Sequence, residues 1–160
     1  MALDDDIGFL NKIPTFRLLG GDGLRIIAIS AEAIRMNSGD LLFEEGEQAD
    51  SGYVVVDGAI VLRSTQDQAG VRPTVAGPGT LIGEMALIVE TRRPATASAV
   101  KPSTVWRIPR GIFMRVLEGE PRAAVALRRM ISERVGSLIN DLDVVLPLFD
   151  DGAQGTLGSS

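Results

Sequence analysis

The chain has 160 residues, a formal net charge of −5 and 45% hydrophobic residues, which is the size and balance of one ordinary domain with its own core. No apolar run reaches the ~20 residues of a membrane-spanning helix. The chain also contains neither Cys nor His; this excludes disulfides, thiolate nucleophiles, sulfur-bound zinc, the commonest general base and the main imidazole ligand of zinc and non-haem iron.

The acidic balance argues against DNA or RNA as a partner, because phosphate-backbone affinity is chiefly a matter of Lys and Arg. Asp4, Asp5 and Asp6 stand where a secretory signal would carry basic residues. A cytoplasmic, non-catalytic protein without membrane contact is therefore expected.

In chain order, the first thirty residues predict short helical pieces. Phe9, Leu10 and Ile13 precede Pro14, and Asp22 is a candidate N-cap for a helix over 24–30. From residue 33 to 108 the pattern changes to short apolar or alternating runs punctuated by Gly: AIRM, DLLF, YVVV, AIVLRS, VRPTV, ATASAV and TVWRI. Asp57-Gly58, between YVVV and AIVL, predicts a two-residue hairpin. Short strands with regular Gly turns predict a mainly β fold, an antiparallel β-roll of the jelly-roll kind with a helical segment at its N-terminus.

After Pro109, Ile112, Phe113, Val116 and Leu117 predict a helix that stops at Glu118-Gly119, and Pro121 suits the first turn of a second. The stripe of that second helix is Ala124, Leu127, Ile131, Val135, Leu138, Leu142 and Val145, running to Pro147. It covers the β-roll, contacts a ligand, or supplies a homodimer contact along different turns. The domain is expected to span residues 1–147. The tail 148–160, rich in Gly, Ser and Asp, lacks the apolar groups needed to offset the entropy of ordering and is expected to be disordered.

Two acidic clusters, Asp4-Asp5-Asp6 and Glu44, Glu45, Glu47 with Asp50, read as solvated turn residues, since calcium-loop spacing is absent. Gly77, Gly79 and Gly83 match neither a dinucleotide fingerprint nor a P-loop. The segment 83–100, GEMALIVETRRPATASAV, is different. Gly83, Glu84, Met85, Ala86 and Leu87 follow a Gly-rich turn and are long enough for one helical turn with unpartnered N–H groups. Arg92 and Arg93 lie at the mouth of the next strand, where a guanidinium can fold back and clamp a phosphate by two hydrogen bonds. Glu84 would repel that phosphate unless it accepted a hydrogen bond from a neighbouring hydroxyl, which a sugar supplies. Together these residues describe a ribose-phosphate cradle.

GEMALIVETRRPAT resembles the phosphate-binding cassette of cyclic-nucleotide-binding domains, as in the catabolite activator protein, protein kinase A regulatory subunits and nucleotide-gated channels. FLNKIPTF resembles the family's opening helical element, SGDLLFEEGEQADSGYVVVDGAIVL its first strands, and residues 111–145 its two closing helices. The resemblance implies a regulatory module that binds cyclic AMP or cyclic GMP and signals through its C-terminal helices. It implies that Glu84 binds the ribose 2'-hydroxyl, that Ala86 gives a backbone N–H to the phosphate and that Arg93 pairs with it, with Gly83, Met85, Pro94 and Ala95 completing the cassette. No metal or cofactor is implied.

Pro94 departs from the Ala, Ser or Thr that is common there. Proline offers neither hydroxyl nor N–H, which predicts cyclic AMP over cyclic GMP. An enzyme on a similar roll, such as a cupin, would need metal-binding His. A degenerate fold kept for dimerisation or scaffolding would leave Glu84 and Arg93 as unliganded charges at a partly dry pocket. About fifteen residues follow the last helix, too few for a helix-turn-helix module, so output is expected to pass to a downstream protein or to an effector domain outside this chain.

Overall fold

Pro14 has no N–H to donate and a fixed φ suited to a first helical turn, so it ends one helix and starts the next. In the computed structural model these are α1 (Leu3–Leu10) and α2 (Pro14–Arg17), followed by α3 (Gly20–Ser30). The structure describes residues 3–65 and 73–142, without the side chains of residue 131 and residues 134–142. Asp22 lies inside the first turn of α3 rather than capping it; the N-cap is Leu19. An acid there still faces the positive end of the helix.

Among the described residues ten strands follow: β1 (Glu32–Met36), β2 (Leu41–Phe43), β3 (Gln48–Ala49), β4 (Ser51–Asp57), β5 (Ile60–Arg63), β6 (Thr74–Ala76), β7 (Leu81–Ile82), β8 (Thr91–Arg92), β9 (Thr96–Ala99) and β10 (Ser103–Pro109). All pairings among them are antiparallel. One sheet has the order β1-β10-β4-β7, a second β2-β9-β5-β6, and β3 pairs with β8 in a two-stranded ladder. This is the expected mainly β roll with flanking helices.

Asp57-Gly58 does not close a hairpin. β4 belongs to the first sheet and β5 to the second, so the turn is a corner between sheets. Gly58 has φ +93°, and a Cβ there would stand 2.1 Å from Ser103 Oγ and 2.6 Å from Pro102 O. The corner therefore requires glycine for its conformation and for the close approach alike.

Inward residues of both sheets form one core: Met36, Phe43, Tyr53, Val55, Ile60, Ala76, Ile82, Ala97, Ala99 and Val105. The helices are seated by aromatic edges, Phe9 of α1 on Trp106 of β10 at 5.7 Å between ring centroids and Phe16 on Phe113 at 6.0 Å. Phe113 lies on α4 (Arg110–Glu118), where it, Val116 and Leu117 are buried as the spacing predicted.

The chain divides into two units, residues 1–123 and 124–160. The second contains most of α5 (Pro121–Leu142), in which Leu127 is buried and Ala124 half-buried. The rest of the predicted stripe, from Ile131 to Val145, and the predicted tail 148–160 lie outside the described side chains and residues. No helix among the described residues is long and apolar enough to cross a membrane.

Candidate functional site

β7 pairs with β4 and is followed by Gly83, whose φ of +79° is left-handed. That conformation turns the chain sharply into a single 3-10 turn, Glu84–Leu87. Its buried residues are Ala86 and Leu87. Ala86 N–H donates to Gly83 O at 3.0 Å, and the N–H groups of Ile88 and Val89 both donate to Met85 O at 3.0 Å. The helical turn expected from the sequence is thus present, and the Ala86 N–H is engaged in closing it.

The other end of the segment is fixed by β8, where Gln48 opposes Arg92 and Ala49 opposes Thr91. Just beyond it, Arg93 N–H donates to Glu47 O and Gly46 N–H to Arg93 O, each at 2.8 Å. The two neighbouring arginines then part. Arg92 is exposed and donates to Gly46 O at 2.9 Å. Arg93 is only 5% exposed.

The Arg93 guanidinium lies 4.3 Å from the centroid of the Phe43 ring and 5.3 Å from that of Tyr53. Nη2 reaches Ser51 Oγ at a long 3.4 Å. A Cβ on Gly83 would stand 2.7 Å from Nη1, so the bare glycine makes room for the arginine. Among the described residues no carboxylate lies within ion-pair reach of Arg93; the ion pairs found there join Arg107 to Glu32 and Asp50. Asp50 is one hydroxyl away. Burial raises the pKa of its carboxyl, but hydrogen bonding from Ser51 and the charge of Arg107 outweigh this and hold it below the usual range. Burial pushes the Arg93 guanidinium down from its ordinary value, outweighing the opposing charges of Asp50 and Glu47, which form no ion pair with it, yet an arginine remains protonated in a protein. A buried, ionised cation is costly unless something balances it.

Arg93 faces a cavity of about 330 Å3 whose walls are mainly apolar, including Phe43, Leu62, Val75 and Ile82. Four of the predicted residues, Gly83, Arg93, Pro94 and Ala95, line it, with Thr74 and Thr80 as polar additions. Glu84, Met85 and Ala86 are not among its lining residues. The Glu84 carboxylate accepts a hydrogen bond from the hydroxyl of Thr15, a buried residue of α2.

Sequence reasoning missed the aromatic pair and Ser51, which sit 40 to 50 positions upstream of Arg93 and carry no spacing signal. It also missed Arg110, the first residue of α4. Arg110 Nη1 donates to Ala49 O and Ala86 O at 3.0 Å and to Val89 O at 3.1 Å, while its N–H donates to Asp50 O at 2.9 Å. A cation at a helix N-terminus opposes the helix dipole, and that mismatch was the available signal. The turn acids are occupied locally: Glu47 accepts from Glu44 N–H, and Glu45 from Thr65.

Residues 33–120 match the model of the cyclic nucleotide-binding domain. A cyclic nucleotide-binding-like protein from Brucella abortus is 40% identical with a TM-score of 0.61, over 71% of this chain and 98% of that one. The catabolite activator protein of Thermus thermophilus shares the fold at a TM-score of 0.65, with 24% identity over 81% of this chain and 62% of that one. Lysophospholipase NTE1 of Chaetomium globosum is 25% identical over 84% of this chain and 9% of its own length. The chain thus spans less than a tenth of the curated relatives it matches.

Proposed function

The chain belongs to the cyclic nucleotide-binding domain family, and from that premise we propose that it is a non-catalytic regulatory module that binds cyclic AMP in preference to cyclic GMP and signals through its C-terminal helices. The observation that carries this reading is the ionised guanidinium of Arg93, 5% exposed, facing an apolar cavity with no carboxylate in reach among the described residues. An anionic phosphodiester supplies a direct ion-pair partner, and the apolar walls suit a base. The volume of about 330 Å3 falls at the lower end of the ~300–1,000 Å3 usual for small-molecule sites.

Arg93 clamps the phosphate by charge-assisted hydrogen bonds. The Ala86 N–H, shared with Gly83 O, adds a donor. Glu84 receives the ribose hydroxyl in exchange for that of Thr15. Gly83, Met85 and Ala95 shape the cassette, and Pro94, lacking both hydroxyl and N–H, offers nothing to the 2-amino group of guanine.

Arg110 supports transmission, because one guanidinium binds carbonyls at the end of the 3-10 turn and itself begins α4. A shift of the cassette on binding moves those carbonyls and biases the helix, by no more than the ligand's differential affinity for the two arrangements. The proposed recipient is a downstream partner or another domain of a longer protein, in the cytoplasm, with α5 available to a second copy.

Calorimetric titration of the chain with cyclic AMP and with cyclic GMP tests the reading. Saturable binding of both, tighter for cyclic AMP, is expected. No heat with either would leave a scaffold that has kept the fold and lost the ligand.

A further inference from the structure

Arginines in dry sites are ordinarily held by carboxylates, which occupy the same in-plane N–H donors that a ligand phosphate would use. Arg93 is held another way. Its backbone is pinned on both sides by the Gly46-Glu47 loop, and the guanidinium carbon sits 4.3 Å from the Phe43 centroid and 5.3 Å from the Tyr53 centroid. The two rings are 5.8 Å apart and inclined at 32°, forming an open seat. Phe43 and Tyr53 come from strands of different sheets, β2 and β4, and both belong to the core. The seat is therefore rigid.

A ring face attracts a cation through its quadrupole without accepting a directed N–H bond. Among the described residues the side-chain N–H groups of Arg93 make a single hydrogen bond, the 3.4 Å contact to Ser51. We propose that Phe43 and Tyr53 are positioning residues of the anion site. They hold the guanidinium in place by its π contacts and leave its donors and its full charge for the ligand's phosphate. This rests on the reading of the cavity as a phosphodiester site and adds to it the residues that set its affinity.

A fixed, desolvated donor array loses little freedom on binding, whereas an unseated arginine must be ordered by the ligand. Loss of a desolvated cation–π contact is expected to weaken cyclic AMP binding about five- to thirtyfold in Phe43→Leu and about threefold in Tyr53→Leu, where the ring is farther away. Tyr53→Phe, which keeps the ring, should bind within about twofold of wild type. These effects must act through Arg93. In an Arg93→Gln background, Phe43→Leu should therefore produce no further loss of affinity, although its effect on melting temperature should persist.

The seat itself is read without ligand by nitrogen-15 NMR of the wild-type chain: shielding above two ring faces should move the Arg93 side-chain N–H resonances upfield of those of Arg92. Wild-type affinity in both leucine variants, an undiminished Phe43→Leu effect in the Arg93→Gln background, or unshifted Arg93 resonances would each overturn the proposal. If Phe43→Leu does not fold, Tyr53→Leu and the wild-type spectrum decide. A wild-type chain that shows the shifted resonances but binds no cyclic nucleotide would refute the ligand reading, and would also refute the affinity role given to the rings while leaving the seat in place.

Discussion

The two ends of the segment between Gly83 and Ala95 hold their charges in opposite ways. At the β8 end, Arg93 faces the cavity, seated on aromatic rings and without a carboxylate among the described residues. At the 3-10 end, Glu84 turns toward α2 and takes a hydrogen bond from Thr15. One end is ready for an anion; the other is bonded to the N-terminal helices. Under the proposed function, binding would have two components, a charge contact that needs no rearrangement and a sugar contact that requires Glu84 to exchange partners. The second component would connect occupancy to α2 through Thr15, as Arg110 is proposed to connect it to α4.

The sharpest way to break this comparison is Arg93→Ala. It removes a charge-assisted contact worth about 1.5–3 kcal/mol, so cyclic AMP affinity by calorimetry should fall at least tenfold. Glu84→Ala should cost up to about the same but no more, because the wild-type carboxylate gives up its Thr15 bond to reach the ligand, and the circular dichroism spectrum should be unchanged. Affinity that drops further in Glu84→Ala than in Arg93→Ala would reverse the order of the two ends.

Arg110→Met should leave affinity within a few-fold and uncouple the helix. Hydrogen exchange in α4 and the first turns of α5 is expected to slow on adding nucleotide to wild type and to respond little in the variant. Equal slowing in both would place transmission elsewhere.

Smaller effects refine the same contrast. Pro94→Thr restores a hydroxyl beside Arg93, and a neutral hydrogen bond of ~0.5–1.5 kcal/mol should raise cyclic GMP affinity several-fold and narrow the gap to cyclic AMP; an unchanged ratio of the two affinities would assign base selectivity to another element. Arg92→Ala, one position from the largest effect, should change affinity by less than twofold, since that side chain is exposed and bonded to Gly46 O. A tenfold loss there would mean that the two arginines have been assigned the wrong roles.

Much of this arrangement was legible in the residue order. The 3-10 turn follows from Gly83 and the short run after it, the burial of Phe113, Val116 and Leu117 from helical spacing, and the roll from short runs between glycines. What could not be read has physical reasons. Asp57-Gly58 announces a turn, but local turn chemistry does not say which sheet the next strand joins. β3, β7 and β8 are two residues each, too short for any period to show. Cassette spacing singled out Arg93 and Glu84 as candidate ligand partners, yet spacing carries no information on which way a side chain points. Thr15, 69 positions from Glu84, lies in a stretch that reads only as helix. Phe43 and Tyr53 look like ordinary core residues, and they are; the seat under Arg93 is built from the rim of that core.

Occupancy of the proposed site would make the fold's own durability a function of solute concentration. A ligand that binds the folded chain and not the unfolded one stabilises it by about 2.7 kcal/mol at a hundred times its Kd. A few kcal/mol is a large share of a domain's margin against unfolding. Copies that have bound nucleotide should melt later and open less often to proteases than copies that have not, so in a cell the standing amount of this domain would rise and fall with its ligand. A message carried by helix movement would then have a second channel, written in lifetime.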